Sequence, residues 1–186
     1  MDAWTVKRKA MRDYDATAYL YDRRYAEEQT AKYEAVLDNL DIKKHDAVLD
    51  VGCGTGLLFS HVANRAGTIV GVDISGKILL YAKKRAKQFS DVHLVMADAD
   101  YLPFKNNVFN CAFAITVLQN MPKPEKTLKE IKRVITENAV VIISALKKKF
   151  LLIDFEALLS RLGLKSVEIK ERDLQCYMAV CMNKTS

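Results

Sequence analysis

Residues 47–56 read Ala-Val-Leu-Asp-Val-Gly-Cys-Gly-Thr-Gly, and this stretch decides the fold. Its first five residues are mostly apolar and branched, which is typical of a parallel strand that is buried on both faces. Glycines follow at positions 52, 54 and 56, and the mostly apolar residues 57–63 then indicate the start of a helix. A strand, a glycine-rich loop and a helix N-terminus together form a cradle for a nucleotide at the carboxyl end of a sheet strand.

The spacing of the glycines separates two kinds of nucleotide site. A dinucleotide fingerprint, Gly-x-Gly-x-x-Gly, needs a third glycine where this chain has Leu57 or Phe59. The observed pattern of three alternating glycines behind an aspartate resembles motif I of the class I S-adenosylmethionine-dependent methyltransferases. That resemblance implies S-adenosylmethionine as cofactor, with S-adenosylhomocysteine as product. It also implies that the loop binds the methionine end, through Asp50, Gly52, Cys53, Gly54 and Gly56.

Bulk composition bounds the class of protein. The chain has 186 residues, half of them hydrophobic, which is enough for one domain with a sizeable core. No apolar run approaches the roughly 20 residues of a membrane-spanning helix. Residues 1–12 are too polar and basic for a secretory signal, so we expect a soluble, cytoplasmic protein.

Cysteine and histidine spacing predicts no metal site. The four cysteines contain no Cys-x-x-Cys pair, and the three histidines are scattered along the chain. We expect reduced and largely buried thiols. Cys176 and Cys181 lie five positions apart on the last predicted strand, so they should face opposite sides of the sheet.

Strand and helix patterns alternate after the first 45 residues. We predict helix over 14–40 in two pieces, strands near 46–52, 68–73, 92–97, 108–115, 139–145, 165–171 and 174–182, and helices near 56–65, 76–89, 124–136 and 152–162. The alternation indicates an α/β protein with a seven-stranded, mostly parallel sheet and helices on both faces. The last two strands, joined only by Arg172-Asp173, form an antiparallel hairpin.

The resemblance adds the topology and the division of the chain. It implies the Rossmann-like class I methyltransferase fold, with strand order 3-2-1-4-5-7-6. We expect one domain overall, made of an N-terminal helical lid (1–45) and a cofactor-binding catalytic core (46–186).

Acidic residues end the second and third predicted strands. Asp73 falls about 20 residues beyond the loop, where a carboxylate accepts hydrogen bonds from the ribose hydroxyls, and Ile74 borders the adenine. By the resemblance, Asp98 binds the adenine amino group and Ala99 offers a backbone N–H; Asp100 is the second choice for the carboxylate.

The exit of the fourth strand, residues 116–122, lies beside the transferred methyl group in the family. Thr116 is assigned to the cofactor, and Gln119 and Asn120 are the candidate catalytic residues that contact the acceptor. The tetrapeptide Asn/Asp-Pro-Pro-Tyr/Phe of adenine and glutamine N-methylating enzymes is missing here. So is the Pro-Cys dipeptide typical of pyrimidine C5 methylation.

The tyrosine-rich opening resembles the lid of small methyltransferases. We select Tyr19 and Tyr25 as cofactor-binding residues, with Arg24 as the partner of the methionine carboxylate. The alternative is that these tyrosines only pack an amphipathic helix against the core.

Two hypotheses for the methyl acceptor remain open. A net charge of +6 and basic runs at 7–9, 83–87 and 147–149 lean slightly towards RNA or the translation machinery. A small activator protein would then pair with the edge strand 92–97. The compact size and the tyrosine-rich opening favour a small molecule instead, such as a quinone, a lipid-like ring or a metabolite. A non-catalytic cofactor-binding scaffold and a NAD-dependent oxidoreductase are the remaining alternatives.

Overall fold

A seven-stranded sheet forms the centre of the molecule. The computed structural model describes residues 2–38, 40–171 and 174–183. The strands are β1 (Ala47–Val51), β2 (Thr68–Asp73), β3 (Val92–Met96), β4 (Phe109–Ala114), β5 (Ile135–Leu146), β6 (Leu164–Lys170) and β7 (Cys176–Asn183). Their spatial order is β3-β2-β1-β4-β5-β7-β6, which confirms the predicted order.

The strand directions also agree with the mostly parallel sheet that the sequence predicts. Strands β1 to β5 run parallel to one another, and β7 runs antiparallel to both β5 and β6. The predicted linker Arg172-Asp173 of the hairpin lies outside the described residues. Because β1 to β4 all run the same way, their carboxyl ends meet at one edge of the sheet, where ligands of open α/β folds bind.

Within the described residues, six α-helices surround the sheet. They are α1 (Ala3–Thr17), α2 (Tyr21–Leu37), α3 (Phe59–Val62), α4 (Gly76–Ala86), α5 (Pro124–Val134) and α6 (Leu152–Arg161). Apolar residues of α2, α3 and α4 pack on one face of the sheet, and those of α5 and α6 pack on the other. Neighbouring residues of β1 enter different cores, Val48 on the first face and Leu49 on the second, which explains why this strand lacks polar alternation.

Several element boundaries differ from the predicted ones, among them those of α1, α3 and β5. The first helix begins at Ala3 rather than at residue 14, because Asp2 caps it by accepting the backbone N–H of Thr5 at 3.0 Å. The helix predicted over 56–65 is a single turn, because the glycine loop runs on to residue 58. Strand β5 begins at Ile135, directly after α5, rather than at 139.

The four cysteines are free and buried. Cys181 belongs to the core shared with α5 and α6, and Cys176 to the core on the opposite face, which confirms that they face opposite sides of the sheet. Burial raises the pKa of the Cys53 and Cys111 thiols above their ordinary value. Both thiols therefore stay protonated at neutral pH and behave as small apolar groups.

Among the described residues, no helix is both long enough and apolar enough to cross a membrane.

Candidate active site

A cavity of about 720 Å³ opens at the carboxyl ends of β1, β2 and β4. Most residues that the sequence assigned to a cofactor meet in its wall. These are Gly52, Gly54, Asp73, Ile74, Asp98, Ala99 and Thr116, joined by the candidate catalytic residue Asn120. Residues from four separate segments of the core thus converge on one space, as the resemblance implies.

The glycine loop is held against the next strand. The backbone N–H groups of Gly52 and Cys53 both donate to the carbonyl of Val72, at 2.7 and 3.0 Å. Gly52 has a φ of +69°, and a Cβ on it would lie 2.5 Å from the Val117 side chain. The loop therefore needs glycine there for its backbone angle and for the close approach of the fourth strand's exit.

Asp73 fixes both the loop and the start of α4. Its Oδ2 accepts the N–H of Gly54 at 3.0 Å, and its Oδ1 accepts the N–H of Ser75 at 2.9 Å. Burial raises the pKa of Asp73, although these backbone hydrogen bonds favour the carboxylate and oppose that shift. The side chain therefore borders the cavity in a fixed orientation.

Asp50 lies behind the loop rather than in the cavity wall. It is almost fully buried, and its Oδ2 has no hydrogen-bond partner among the described residues. Burial and the nearby charge of Asp73 raise the pKa of Asp50 to about 8. A buried acceptor without a donor is costly, so this oxygen is suited to a cationic N–H donor that arrives with a ligand.

Two other predicted loop residues also lie outside the cavity wall. Cys53 belongs to the core, where its sulfur packs close to Gly71. Gly56 has a φ of +78°, and a Cβ on it would lie 2.3 Å from the Phe59 ring. Their place in the motif follows from how the loop turns into α3, and not from contact with the cavity.

Asp98 has a partner that the sequence did not reveal. Lys7 of α1 donates to both of its carboxylate oxygens, at 2.7 and 2.9 Å, and also contacts the carboxylate of Asp100. Lys7 and Asp100 are each about 5% exposed. Asp100 is further held by the hydroxyl of Thr127, so it serves the structure beneath the cavity while Asp98 lines it.

The tyrosines that cover the cavity are Tyr14 and Tyr21, not the predicted Tyr19 and Tyr25. Tyr19 lies in the short 3₁₀ helix between α1 and α2 and is 68% exposed. The change of helical winding at residues 18–20 explains the difference, because it shifts which side chains face the core. Arg24 is exposed and likewise lies away from the cavity.

Polar contacts tie the two N-terminal helices to the core. Asp15 accepts the hydroxyl of Ser75, which caps α4. Asp22 accepts the Arg85 guanidinium at 2.9 Å, and Arg85 also donates to the carbonyl of Thr55 in the glycine loop at 2.6 Å. The helices are therefore attached at the same sheet edge that carries the cavity.

A second cavity of about 540 Å³ adjoins the first. The two share Tyr14, Tyr21 and Thr116 as walls. Gln119 lines the second cavity and Asn120 the first, where Asn120 donates to the Tyr14 hydroxyl at 3.0 Å. The two predicted catalytic residues thus stand on either side of the boundary between the cavities.

Residues of α2 complete the second cavity. Tyr25, Glu28, Gln29 and Lys32 line it, opposite Ser144 and Cys176. Lys32 and Gln29 are buried and both contact the Thr116 hydroxyl, at 3.0 and 3.1 Å. The sequence analysis did not select Gln29, Lys32 or Lys7, because polar and charged residues on a helix are usually exposed to solvent. The only signal for them was their position within the predicted lid.

Comparison with known proteins identifies the family. A family model described as "Methyltransferase domain" matches residues 49–143, which is just over half of the chain. An uncharacterised protein of Methanocaldococcus jannaschii is 34% identical over 131 residues, covering 70% of this chain and 49% of that protein. The demethylmenaquinone methyltransferase of Staphylococcus saprophyticus is 32% identical over 110 residues, covering 58% of this chain and 47% of the enzyme. The chain spans about half the length of the curated relatives it matches.

Solved structures share the fold over nearly the whole chain. A methyltransferase from a complex with the Haloferax volcanii Trm112 activator superposes with a TM-score of 0.82, at 16% identity, covering 93% of this chain and 96% of that one. The Synechocystis magnesium protoporphyrin IX methyltransferase with bound S-adenosylmethionine superposes with a TM-score of 0.77, at 17% identity, covering 100% and 98%. With the family model, the sheet order and the motif I loop in agreement, the chain belongs to the class I S-adenosylmethionine-dependent methyltransferase family.

Proposed function

We propose that this chain is an enzyme that transfers the methyl group of S-adenosylmethionine to a small-molecule acceptor. The observation that carries the proposal is the convergence of the glycine loop, Asp73 and Asp98 on one cavity at the carboxyl edge of a parallel sheet. This is where the fold class binds nucleotides. Membership in the methyltransferase family supports the same chemistry.

The residues present fit S-adenosylmethionine. Asp73 offers carboxylate oxygens to the ribose hydroxyls, and Asp98 offers one to the adenine amino group. Gly52 and Gly54 have no side chain to obstruct the methionine end. The unpartnered Oδ2 of Asp50 suits an ammonium donor, which makes Asp50 a candidate for the methionine amino group despite its place behind the loop.

Methyl transfer depends on how the protein positions the acceptor against the methyl group rather than on acid–base groups. The cofactor supplies a methyl group on a sulfonium, whose leaving group is a neutral thioether. The chain's own residues must align the acceptor with that methyl group and exclude water. Tyr14 and Tyr21 cover the cavity, so we assign the lid function to the N-terminal helices of residues 1–45.

The structure shifts the balance between the two acceptor classes. Lys7 and Arg85 belong to two of the basic runs that favoured RNA, and both are engaged in ion pairs within the molecule. A lysine or arginine that is paired with a carboxylate inside the molecule is not free to bind an RNA phosphate. The second cavity, by contrast, adjoins the cofactor cavity, where a small acceptor would lie next to the methyl donor. A relative also acts on a small molecule by its name, demethylmenaquinone methyltransferase.

The test is methyl transfer from labelled S-adenosylmethionine into a fractionated extract of the protein's own cells, with an Asp73→Ala variant alongside. We expect label in the small-molecule fraction that the variant does not produce. Label in the RNA or protein fraction would replace the small-molecule acceptor by a macromolecular one. Cofactor binding without any transfer would indicate a scaffold or a missing subunit.

A second candidate feature is partnership with a small activator protein. Strand β3 is an edge strand, and the Met96 side chain on it is 68% exposed. Ala97 donates its N–H to Asp73 on β2, so by alternation the N–H of Met96 faces away from the sheet. The solved methyltransferase in complex with Trm112 shows that a neighbour of this fold has such a partner.

Native mass spectrometry of the protein isolated from its own cells tests this partnership. We expect a complex with one small protein, which a Met96→Pro substitution removes by taking away an outward N–H group without touching β2. A monomer that transfers methyl groups unaided would rule the activator out.

A further inference from the structure

We infer that the second cavity is the acceptor site and that it binds a small molecule with a carboxylate group. One oxygen of that carboxylate is the atom that becomes methylated. The inference rests on the proposed methyl transfer. It starts from the position of this cavity, which shares Tyr14, Tyr21 and Thr116 with the cofactor cavity and has no wall in the glycine loop. A molecule bound there lies next to the cofactor without occupying its place.

A buried ammonium group is the main polar feature of this cavity. The Lys32 side chain is only 2% exposed. Its Nζ carries three N–H groups, and within the described part of the chain two acceptors lie within reach, Glu28 Oε1 at 2.6 Å and Thr116 Oγ1 at 3.0 Å. One N–H is left for a bound molecule, and a negatively charged oxygen is the acceptor that an ammonium group binds most strongly.

The partner of Lys32 leaves room for a second anion. Glu28 is 43% exposed and sits at the solvent side, so solvent screens its charge more than that of the buried ammonium group. Desolvation of a cation is costly unless it is fully paired. A carboxylate entering the cavity would complete the pairing of Lys32 on its buried side.

Gln119 adds a second recognition group. Its Oε1 is buried and has no hydrogen-bond partner among the described residues, so it can accept a hydrogen bond from a donor on the acceptor molecule. Lys32 and Gln119 together specify an anion that also carries a hydroxyl, an amide or a similar N–H or O–H donor.

The other groups of the cavity favour a nucleophile that arrives already ionised. No histidine lines the described part of either cavity. Burial raises the pKa of the Cys176 thiol and of the Tyr14 and Tyr21 hydroxyls, so none of these is ionised at neutral pH to act as a base. Glu28, the carboxylate in the described wall of the second cavity, is already paired with Lys32. A carboxylate needs no base, because it is an anion at neutral pH.

The reaction then balances without a proton transfer. A lone pair of the carboxylate oxygen forms the new O–CH₃ bond, and the C–S bond breaks with its electron pair moving to sulfur. One negative and one positive charge disappear, and the products are a neutral methyl ester and a neutral thioether. Lys32 positions the attacking carboxylate through one oxygen while the other faces the methyl group.

Binding to protein saturated with S-adenosylhomocysteine tests the inference. The probes are acetate, malonate, benzoate and 4-hydroxybenzoate, each compared with its own amide, by ligand-observed NMR titration. We expect at least one carboxylate to bind about tenfold more tightly than its amide, which is about 1.4 kcal/mol. Labelled methyl transfer from S-adenosylmethionine to that carboxylate should give a methyl ester.

Three variants and a control assign that preference to Lys32. Lys32→Met should lose the preference for carboxylate, and Lys32→Arg should restore part of it. Lys129→Met removes an exposed lysine of an i,i+4 pair with Glu125 and should change nothing. Glu28→Gln, at a partly exposed position, should tighten carboxylate binding because it removes the competing anion.

Each outcome has one meaning. Equal binding of carboxylates and amides, an unchanged preference in Lys32→Met, or no carboxylate binding at all to the S-adenosylhomocysteine complex would overturn the anionic acceptor. Failure of the wild-type protein to bind S-adenosylhomocysteine would instead refute the proposed function on which the inference rests.

Discussion

Gly54 and Gly56 stand two positions apart in the motif, but the structure gives them different roles. Gly54 lines the cofactor cavity, and a Cβ on it would meet the Tyr21 ring at 3.6 Å, an ordinary contact distance. Gly56 lies outside the cavity, and its Cβ would overlap the Phe59 ring at 2.3 Å. Motif I therefore combines a residue that faces the ligand with one that shapes the loop.

Alanine substitutions should separate these roles. Gly56→Ala combines a positive φ with a clash in the core and should lower the free energy of unfolding by about 3 kcal/mol. Gly54→Ala carries only the backbone strain and should lower it by about 1 kcal/mol, while weakening cofactor binding more strongly. Urea unfolding and cofactor titration of both variants check this, and equal losses of stability would contradict it.

The raised pKa of Asp50 predicts that the stability of the protein depends on pH. Its pKa lies near 8 in the folded protein against 3.8 ordinarily, because burial disfavours the carboxylate. The folded state therefore binds more protons than the unfolded chain between these values, and wild-type stability falls as pH rises through that window. Asp50→Asn removes this term, so the Tm of the variant relative to wild type should rise from acidic pH and level off above about 8.

Thermal unfolding without cofactor, scanned across that pH range, is the measurement. The Asp46→Asn variant is the control, since Asp46 is a carboxylate at the other end of β1 that accepts the N–H of Lys43 at 2.8 Å. A Tm difference for Asp50→Asn that stays flat with pH would show that Asp50 is ionised in the folded state.

At the scale of elements, a buried cation links α1 to the core. Lys7 forms ion pairs with two carboxylates, Asp98 in the cavity wall and Asp100 beneath it. Removing one partner of a buried ion pair usually costs about 3 kcal/mol or more, because the remaining charges are left unpaired. We therefore expect Lys7→Met to destabilise the protein by about 3 kcal/mol.

A double-mutant cycle with Asp98→Asn checks the coupling. The second substitution removes one of the two stranded charges, so the double variant should be less destabilised than the sum of the single variants. Additive losses in urea unfolding would mean that the Lys7–Asp98 contact contributes nothing to the docking of α1.

The elements with the clearest sequence signals were predicted best. Strands β1 and β2 are mostly apolar, and glycine follows β1 while an acidic residue ends β2, so both their existence and their ligand-binding ends were predictable. The strand order required the family resemblance, because pairing between distant strands leaves no local pattern. The predicted helix over 56–65 was longer than the single turn of α3, because the apolar residues there also suit a buried loop.

The lid was the least predictable part of the site. Tyr14 and Tyr21 lie over the cavity while Tyr19 is exposed, and this choice depends on the 3₁₀ helix at residues 18–20. No residue type marks that change of winding. The burial of Lys7 and Lys32 likewise follows from tertiary docking, which overrides the usual preference of lysine for solvent.

At the scale of the whole molecule, the two cavities and the two N-terminal helices form one arrangement. Helix α1 closes the cofactor cavity through Lys7 and Tyr14, and α2 supplies the cation of the second cavity through Lys32. The parallel sheet provides the floor for both. Lys7 and Lys32 are buried in ion pairs with carboxylates, so neither belongs to the basic surface of the molecule.

Ligand binding to this arrangement should stabilise the entire fold. A ligand that binds only the folded state at about 100 times its Kd adds about 2.7 kcal/mol. For a chain of this length that corresponds to a rise in Tm of roughly 5–10 °C. Differential scanning fluorimetry with S-adenosylhomocysteine measures the rise, and Asp73→Asn should reduce it to about half or less at the same concentration.

The most direct test of the central claim is calorimetric titration of S-adenosylmethionine into the wild-type protein, Asp73→Asn and Asp46→Asn. We predict one site per chain in wild type and in Asp46→Asn. Binding to Asp73→Asn should be about 10- to 100-fold weaker, because charged hydrogen bonds contribute about 1.5–3 kcal/mol. No binding to the wild-type protein, or equal affinity in Asp73→Asn, would contradict the assignment of this cavity to the methyl donor.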